Sequence, residues 1–357
     1  MRHHVLIPNE QHAGAASAIL MLLMMMMITP AAGAICPSTS IINTPNTVWE
    51  AVDCSNVTNL VVQTTTNVTI RIINSSTIAS YFLPYNLSLI VLNSATISGL
   101  SLEILSSNIT ASSLLVFPFF FSVYIHSSAI YAANVGYGAI ALRSSLNSSS
   151  DAHDINVTVD SSYIRVTSQR TDSHESHAFL HILASGSLRN VFVVMRNSSL
   201  NGVQSSRESK ALYFIDLATD HASSTILIHL VDCAMNIGST LVSTNPIDEV
   251  TDYGSVVIGL RFYANTLGMI VALSGVDIML TRLDVIGNAT STFTFVSFEG
   301  DTVVDSSVIV LQSVYVSTTV AGPMSIANDM FSRYSSVFSA ATMVNSTFLV
   351  RNTHIFF

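Results

Sequence analysis

The chain has 357 residues, a formal net charge of −9, 49% hydrophobic residues and only 10% charged ones. It holds one lysine, Lys210, and no run of like charge, so nothing in it offers a basic footprint to nucleic acid. Ser and Thr supply about a quarter of the residues. An apolar, β-branched, hydroxyl-rich composition excludes a disordered chain and long solvent-exposed helices, and it suits pleated strands.

The first element is an apolar run, residues 15–28, reading AASAILMLLMMMMI. Its length fits the core of a signal peptide and is short for a membrane span. Arg2 precedes it, Thr29 and Pro30 break it, and Ala32-Gly33-Ala34 supplies the small residues a signal peptidase reads. The expectation is a signal peptide over 1–34 and one β-rich domain over 35–357, with an uncleaved signal anchor as the alternative. No transmembrane segment is expected beyond it. Export makes disulfides permissible. Cys36 and Cys54 are close enough in sequence to close a short loop, whereas Cys233 is either a buried thiol or pairs outside the chain.

Ten Asn residues sit in acceptor sequences for N-glycosylation: Asn56, Asn67, Asn74, Asn86, Asn108, Asn147, Asn156, Asn197, Asn288 and Asn345. If they are used, they lie at the surface.

From residue 68 onward a degenerate pattern recurs: alternating apolar residues, then Asn, Asp, Arg or His, then small hydroxyl residues, then another apolar position. VTIRIINSSTI begins at Val68, LSLIVLNSATI at Leu87, FSVYIHSSAI at Phe121, INVTVDSSYI at Ile155 and VFVVMRNSSL at Val191. Later copies begin at Ile226, Ser307 and Thr347, and a poorer one at Ile270. Alternation turns one face of a strand to a core, and Asn, Asp or Ser after it favours a tight bend. A strand, a bend and a second strand form a corner. Corners stacked in parallel predict a right-handed parallel β-helix of the pectin-lyase-like solenoid kind. An antiparallel β-sandwich is the alternative, which the scarcity of glycine (15 residues) for hairpin turns disfavours. The polar stretches 143–154, 168–177, 203–210 and 244–254 read as loops. The chain ends at Phe357 inside a copy of the pattern, so an uncapped last coil is expected.

Candidate chemistry is sparse. His174, His177 and His181 with Glu175 concentrate metal-capable side chains, yet their spacing is not that of a zinc protease. Asp151, Asp154 and Asp160 could converge with Arg165 or Arg170 as a polysaccharide lyase or hydrolase on a β-helix requires; Asp248, Glu249 and Asp252 form a second acidic group. Neither spacing demands catalysis, and solvated loop carboxylates are the preferred account of both. No nucleophile elbow, phosphate-binding glycine loop or dinucleotide fingerprint occurs, so no catalytic residue, bound metal or cofactor is assigned.

Short apolar strands followed by NSS, HSS or DSS bends, after a signal peptide, resemble the dispersed gene family surface proteins of kinetoplastid protozoa over roughly residues 60–357. The resemblance implies a glycosylated, adhesin-like β-helical protein, secreted or membrane-associated at the cell surface, with glycans or surface proteins as partners. The carboxy-terminal membrane spans of many such proteins have no counterpart here. A fragment without independent function is the remaining reading.

Overall fold

The computed structural model describes residues 34–37, 41–57, 60–64, 66–77, 88–92, 98–111, 113–116, 121–133, 138–143, 151–168, 177–206, 211–219, 221, 223–241, 255–263, 266–284, 291–298, 303–321, 333–339 and 342–356. The expected signal peptide, apart from its last residue Ala34, therefore lies outside the described residues, as do Asn86, Asn147 and Asn288.

The described part is all-β and contains no helix. Its strands form three long sheets, called faces I, II and III, and the chain visits them in rotation. Face I includes Thr47–Val52, Thr66–Ile73, Ser98–Leu105, Phe121–His126, Ala152–Asp160, Leu188–Arg196 and Ser223–Val231. Face II begins at Asn108–Ala111 and ends at His354–Phe356, and face III runs from Ile41–Ile42 to Arg333–Ser339. Each strand pairs in parallel with its counterpart one circuit later, as when Val157 pairs with Val193 and Val193 with Ile228. The antiparallel alternative is thereby corrected: every pairing between described strands is parallel, and the only antiparallel contact among them is the isolated bridge from Ile35 to Val52.

Alternation explains the interior. Along Leu188–Arg196, Leu188, Val191, Val193 and Met195 are buried and the residues between them are not. Stacking repeats this in register, so Ile70, Leu102, Val123, Val157, Val193 and Ile228 form one unbroken apolar column. Each such side chain removes about 1.5–3 kcal/mol worth of apolar surface from water.

The bends share a single geometry. All 19 described residues with positive φ fall in two columns flanking the central segment of face I. One column runs Asp53, Asn74, Ser106, Ser127, Ser161, Asn197, Asp232, Gly275, Ser313 and Asn352; the other runs Asn46, Asn67, Gly99, Asp154, Asn190, Thr225, Gly268, Ser306 and Asn345. Wherever both members are described they stand seven residues apart, as in Asn190 and Asn197. Asn, Asp, Gly and Ser dominate because a left-handed residue pays least when its side chain is absent or can bond locally. The ten corners of the first column mark ten circuits.

A buried serine follows five of the ten first-column corners. The Oγ of Ser75, Ser107, Ser128, Ser162 and Ser198 donates to the carbonyl two residues back, at 2.6 to 2.7 Å. The same oxygens accept backbone N–H groups from the preceding circuit at 3.0 to 3.1 Å: Cys54 to Ser75, Ser75 to Ser107, Ser107 to Ser128, Ser128 to Ser162 and Ser162 to Ser198. Cys233 extends this ladder: its thiol donates to the Val231 carbonyl at 3.1 Å and accepts from the Ser198 backbone. Val276 and Val314 then take the position, and a second short ladder opens at the other corner, where Met269 donates to Ser307 and Ser307 to Ser346.

The two ends differ. At the amino-terminal end, Ile35 exchanges two 2.9 Å backbone bonds with Val52, and Cys36 is disulfide-bonded to Cys54, the first rung of the ladder. Closing a loop with a separation of 18 residues is worth about 3 kcal/mol by the chain-entropy model. At the other end Met343, Phe348 and Val350 occupy core-facing registers yet are 36%, 41% and 45% exposed, because no further described circuit packs on them.

Candidate binding face

The described carboxylates among those singled out in the sequence do not converge. Asp151 precedes the strand Ala152–Asp160, accepts the Ser187 N–H at 2.8 Å and lies 3.9 Å from Arg189. Asp154 sits at a left-handed corner, where it accepts from Asn190 and His153, both at 2.9 Å. Asp160 ends the strand, 3.0 Å from His126 Nδ1. Asp154 and Asp160 are six residues apart along extended chain, which is about 20 Å, far beyond the separation a carboxylate pair needs to act on one glycosidic bond. Hydrogen bonds from Ser187 hold the Asp151 carboxyl below its ordinary range, and those from Asn190 and His153 do the same for Asp154. Arg165 is exposed on face II, around the corner from all three; Arg170, Asp248, Glu249 and Asp252 lie outside the described residues.

Of the histidine cluster, only part falls on described residues. His174 and Glu175 lie outside the described residues, and His177 opens the strand that carries His181. His181 is buried and its Nδ1 donates to Asp216 Oδ2 at 2.9 Å, tying two neighbouring strands of face III. Phe179 and Phe214 stack beside this pair at 5.6 Å, also buried. Asp216 was not singled out in the sequence, because its partner lies 35 residues away on the next circuit. Among the described residues no group of three or more metal-capable side chains forms. Loop expectations need one correction: Ala152–Asp160 and Ser199–Ser206 are strands that reach into the stretches 143–154 and 203–210.

The described acceptor asparagines share one disposition. Asn56, Asn67, Asn74, Asn108, Asn156, Asn197 and Asn345 are all exposed. In Asn156-Val157-Thr158 and Asn197-Ser198-Ser199 the middle residue is buried and the Asn faces out, as strand alternation dictates. Five of the seven, Asn67, Asn74, Asn156, Asn197 and Asn345, belong to face I or its corners; only Asn108 starts a face II strand.

Face II presents rows of polar and aromatic side chains. Two registers point outward from it. The first holds Asn108, Ala129, Tyr163, Ser199, Ala234, Asp277, Tyr315 and His354. The second, two residues on, holds Thr110, Tyr131, Arg165, Asn201 and Asn236. Tyr131 and Tyr163 meet at 5.8 Å with their rings tilted by 54°. In the later circuits the surface dips into a groove of about 590 Å³. Leu200, Met235 and Ile278 are buried and turn their side chains to the core beneath; Asn201, Asn236 and Asp277, which alternate with them, line the groove, and Tyr315, 44% exposed, walls one side. These positions follow from the sequence once the corners are aligned, because they stand two and four residues after each left-handed residue of the first column.

No protein-family model, curated protein or solved structure matches this chain.

Proposed function

We propose that this protein is a secreted or cell-surface glycoprotein, built as a right-handed parallel β-helix, that serves adhesion or coat structure. The observation that carries the reading is the outward placement of all seven described acceptor asparagines. Their middle residues fill the core or the corners, so glycans at these sites leave the interior undisturbed. Rotation of the chain through three parallel sheets supports the β-helix. The apolar run at 15–28 followed by Ala32-Gly33-Ala34 supports export. No helix among the described residues is long and apolar enough to cross a membrane.

A polysaccharide lyase on the same fold is less well supported, since the carboxylates it would need point to separate places. Expression of the whole chain in a glycosylating secretory host tests the proposal. The expected outcome is protein in the medium whose mass falls by several glycan units on treatment with peptide N-glycosidase. Retention inside the cell with no glycan-dependent mass change would contradict it.

A further inference from the structure

We propose that the face II groove is a binding site for a neutral glycan, laid along the stacking direction of the strands. This inference rests on the adhesive reading above and gives it a ligand class and a place.

The argument begins with what the groove presents. Asn201 and Asn236 are neighbours in register on adjacent strands, with Asp277 one strand further on and two residues back in register. Among the described residues, none of these three side chains takes part in a side-chain hydrogen bond or ion pair. Amides and a carboxylate offer paired donors and acceptors, the complement of adjacent sugar hydroxyls. Tyr315 supplies an aromatic face, against which the C–H face of a pyranose packs. Leu200, Met235 and Ile278 pack in the core beneath these residues and hold the strands that present them. Adjacent strands are about 4.8 Å apart, close to the length of one pyranose unit, so each circuit meets about one sugar.

Charge selects the ligand class. Asp277 is the only charged side chain lining the groove among the described residues, so a polyanion such as a polyuronate finds no cationic partner within the groove itself. The acceptor asparagines agree with this placement. Those described cluster on face I and its corners, and none lies on the face II strands from Ala129–Ala133 onward. Asn197 is the described acceptor nearest the groove: it stands at the corner before Ser199, which lines the groove.

The test uses the whole secreted chain and isothermal titration with linear hexasaccharides of mannose, glucose and galactose, with polygalacturonate as the anionic comparator. At least one neutral hexasaccharide is expected to bind, and polygalacturonate to bind at least about tenfold more weakly. Asn236→Ala and Tyr315→Ala are each expected to weaken binding at least about tenfold, as loss of an anchoring side chain does. Tyr124→Ala, on face I, is expected to leave it unchanged. Matching circular dichroism spectra verify that the variants fold, and Asn236→Asp, of nearly the same shape, provides a second loss-of-donor variant. Failure to bind any of the three neutral hexasaccharides, or binding that survives both groove substitutions, overturns the inference. If that failure occurs in protein that is exported and glycosylated, the adhesive glycoprotein reading stands without this site. If the chain is never exported or glycosylated, the reading itself falls.

Discussion

At the residue scale, the buried serines after the corners do two jobs with one oxygen. Ser162 Oγ donates to the Asp160 carbonyl at 2.7 Å and accepts the Ser128 N–H at 3.1 Å. Removing that oxygen leaves the buried Ser128 N–H without its partner, while the Asp160 carbonyl keeps the Ser127 N–H at 3.1 Å; the orphaned donor costs about 1–3 kcal/mol. Cys233 holds the same position with a weaker donor and acceptor, and burial pushes its thiol up from the ordinary range. Ser162→Ala is therefore expected to destabilise the protein by about 1–3 kcal/mol in denaturant titration, and Cys233→Ser to change stability by no more than about 1 kcal/mol. Equal losses in the two variants would show that the ladder bonds contribute little. The ladder was only half legible in the sequence. The NSS, HSS and DSS strings announced a bend, but their second residue reads as a polar turn residue. Nothing local says that it points inward, because its acceptor role is filled by a backbone N–H from 21 to 36 residues away.

At the element scale, the corner is the unit that repeats. Two left-handed residues seven apart bracket each face I segment, and the residue type at each follows from how well it tolerates φ near +50°. Thr225, with φ of 56°, is the exception, since a β-branched side chain crowds this region. Asn serves in the same column at 46, 67, 190 and 345. Thr225→Asn is expected to raise stability by about 1 kcal/mol, read as a higher denaturant midpoint with an unchanged slope. A lower midpoint would mean that the Thr methyl or hydroxyl makes a compensating contact. Gly275 marks the opposite limit: a Cβ there would stand 2.3 Å from Asp232 Oδ1 on the preceding circuit.

Corner chemistry also explains where the sequence misled. LSLIVLNSATI, beginning at Leu87, looks like a corner copy, yet Ser88–Leu92 belongs to face III and pairs with Leu60–Val62. The real second-to-third circuit step runs from Asn74 to Ser106, 32 residues later. The segment LSLEILSSNI that holds this corner was passed over, because Glu103 and Asn108 blur its apolar pattern. The first corner, Asp53-Cys54, was missed for a similar reason: its Cys read as half of a disulfide and not also as a rung. Apolar alternation marks a strand but does not say to which of three faces it belongs. Only the left-handed residue followed by a buried small residue does so.

At the scale of the whole molecule, circuits of 21 to 43 residues stack in strict register although their lengths differ twofold. The surplus length falls between strands and leaves the pairing untouched, for example Asn201 with Asn236 on face II and Val194 with His229 on face I. Stability in such an array is close to a sum of circuit and neighbour terms.

In-register parallel stacking is the claim on which the core, the ladder and the groove all depend, and paired cysteines read it directly. In a Cys233→Ser background that keeps the Cys36–Cys54 bond, Thr158→Cys with Val194→Cys, and Asn201→Cys with Asn236→Cys, place partners on adjacent strands within bridging distance. Thr158→Cys with His229→Cys places them two strands apart, about 9.6 Å from strand spacing alone, which is too far. The account predicts that mild oxidation followed by peptide mass spectrometry finds disulfides in the first two variants and none in the third. Bridging of the two-strand pair, or of neither adjacent pair, would contradict the stacked parallel register.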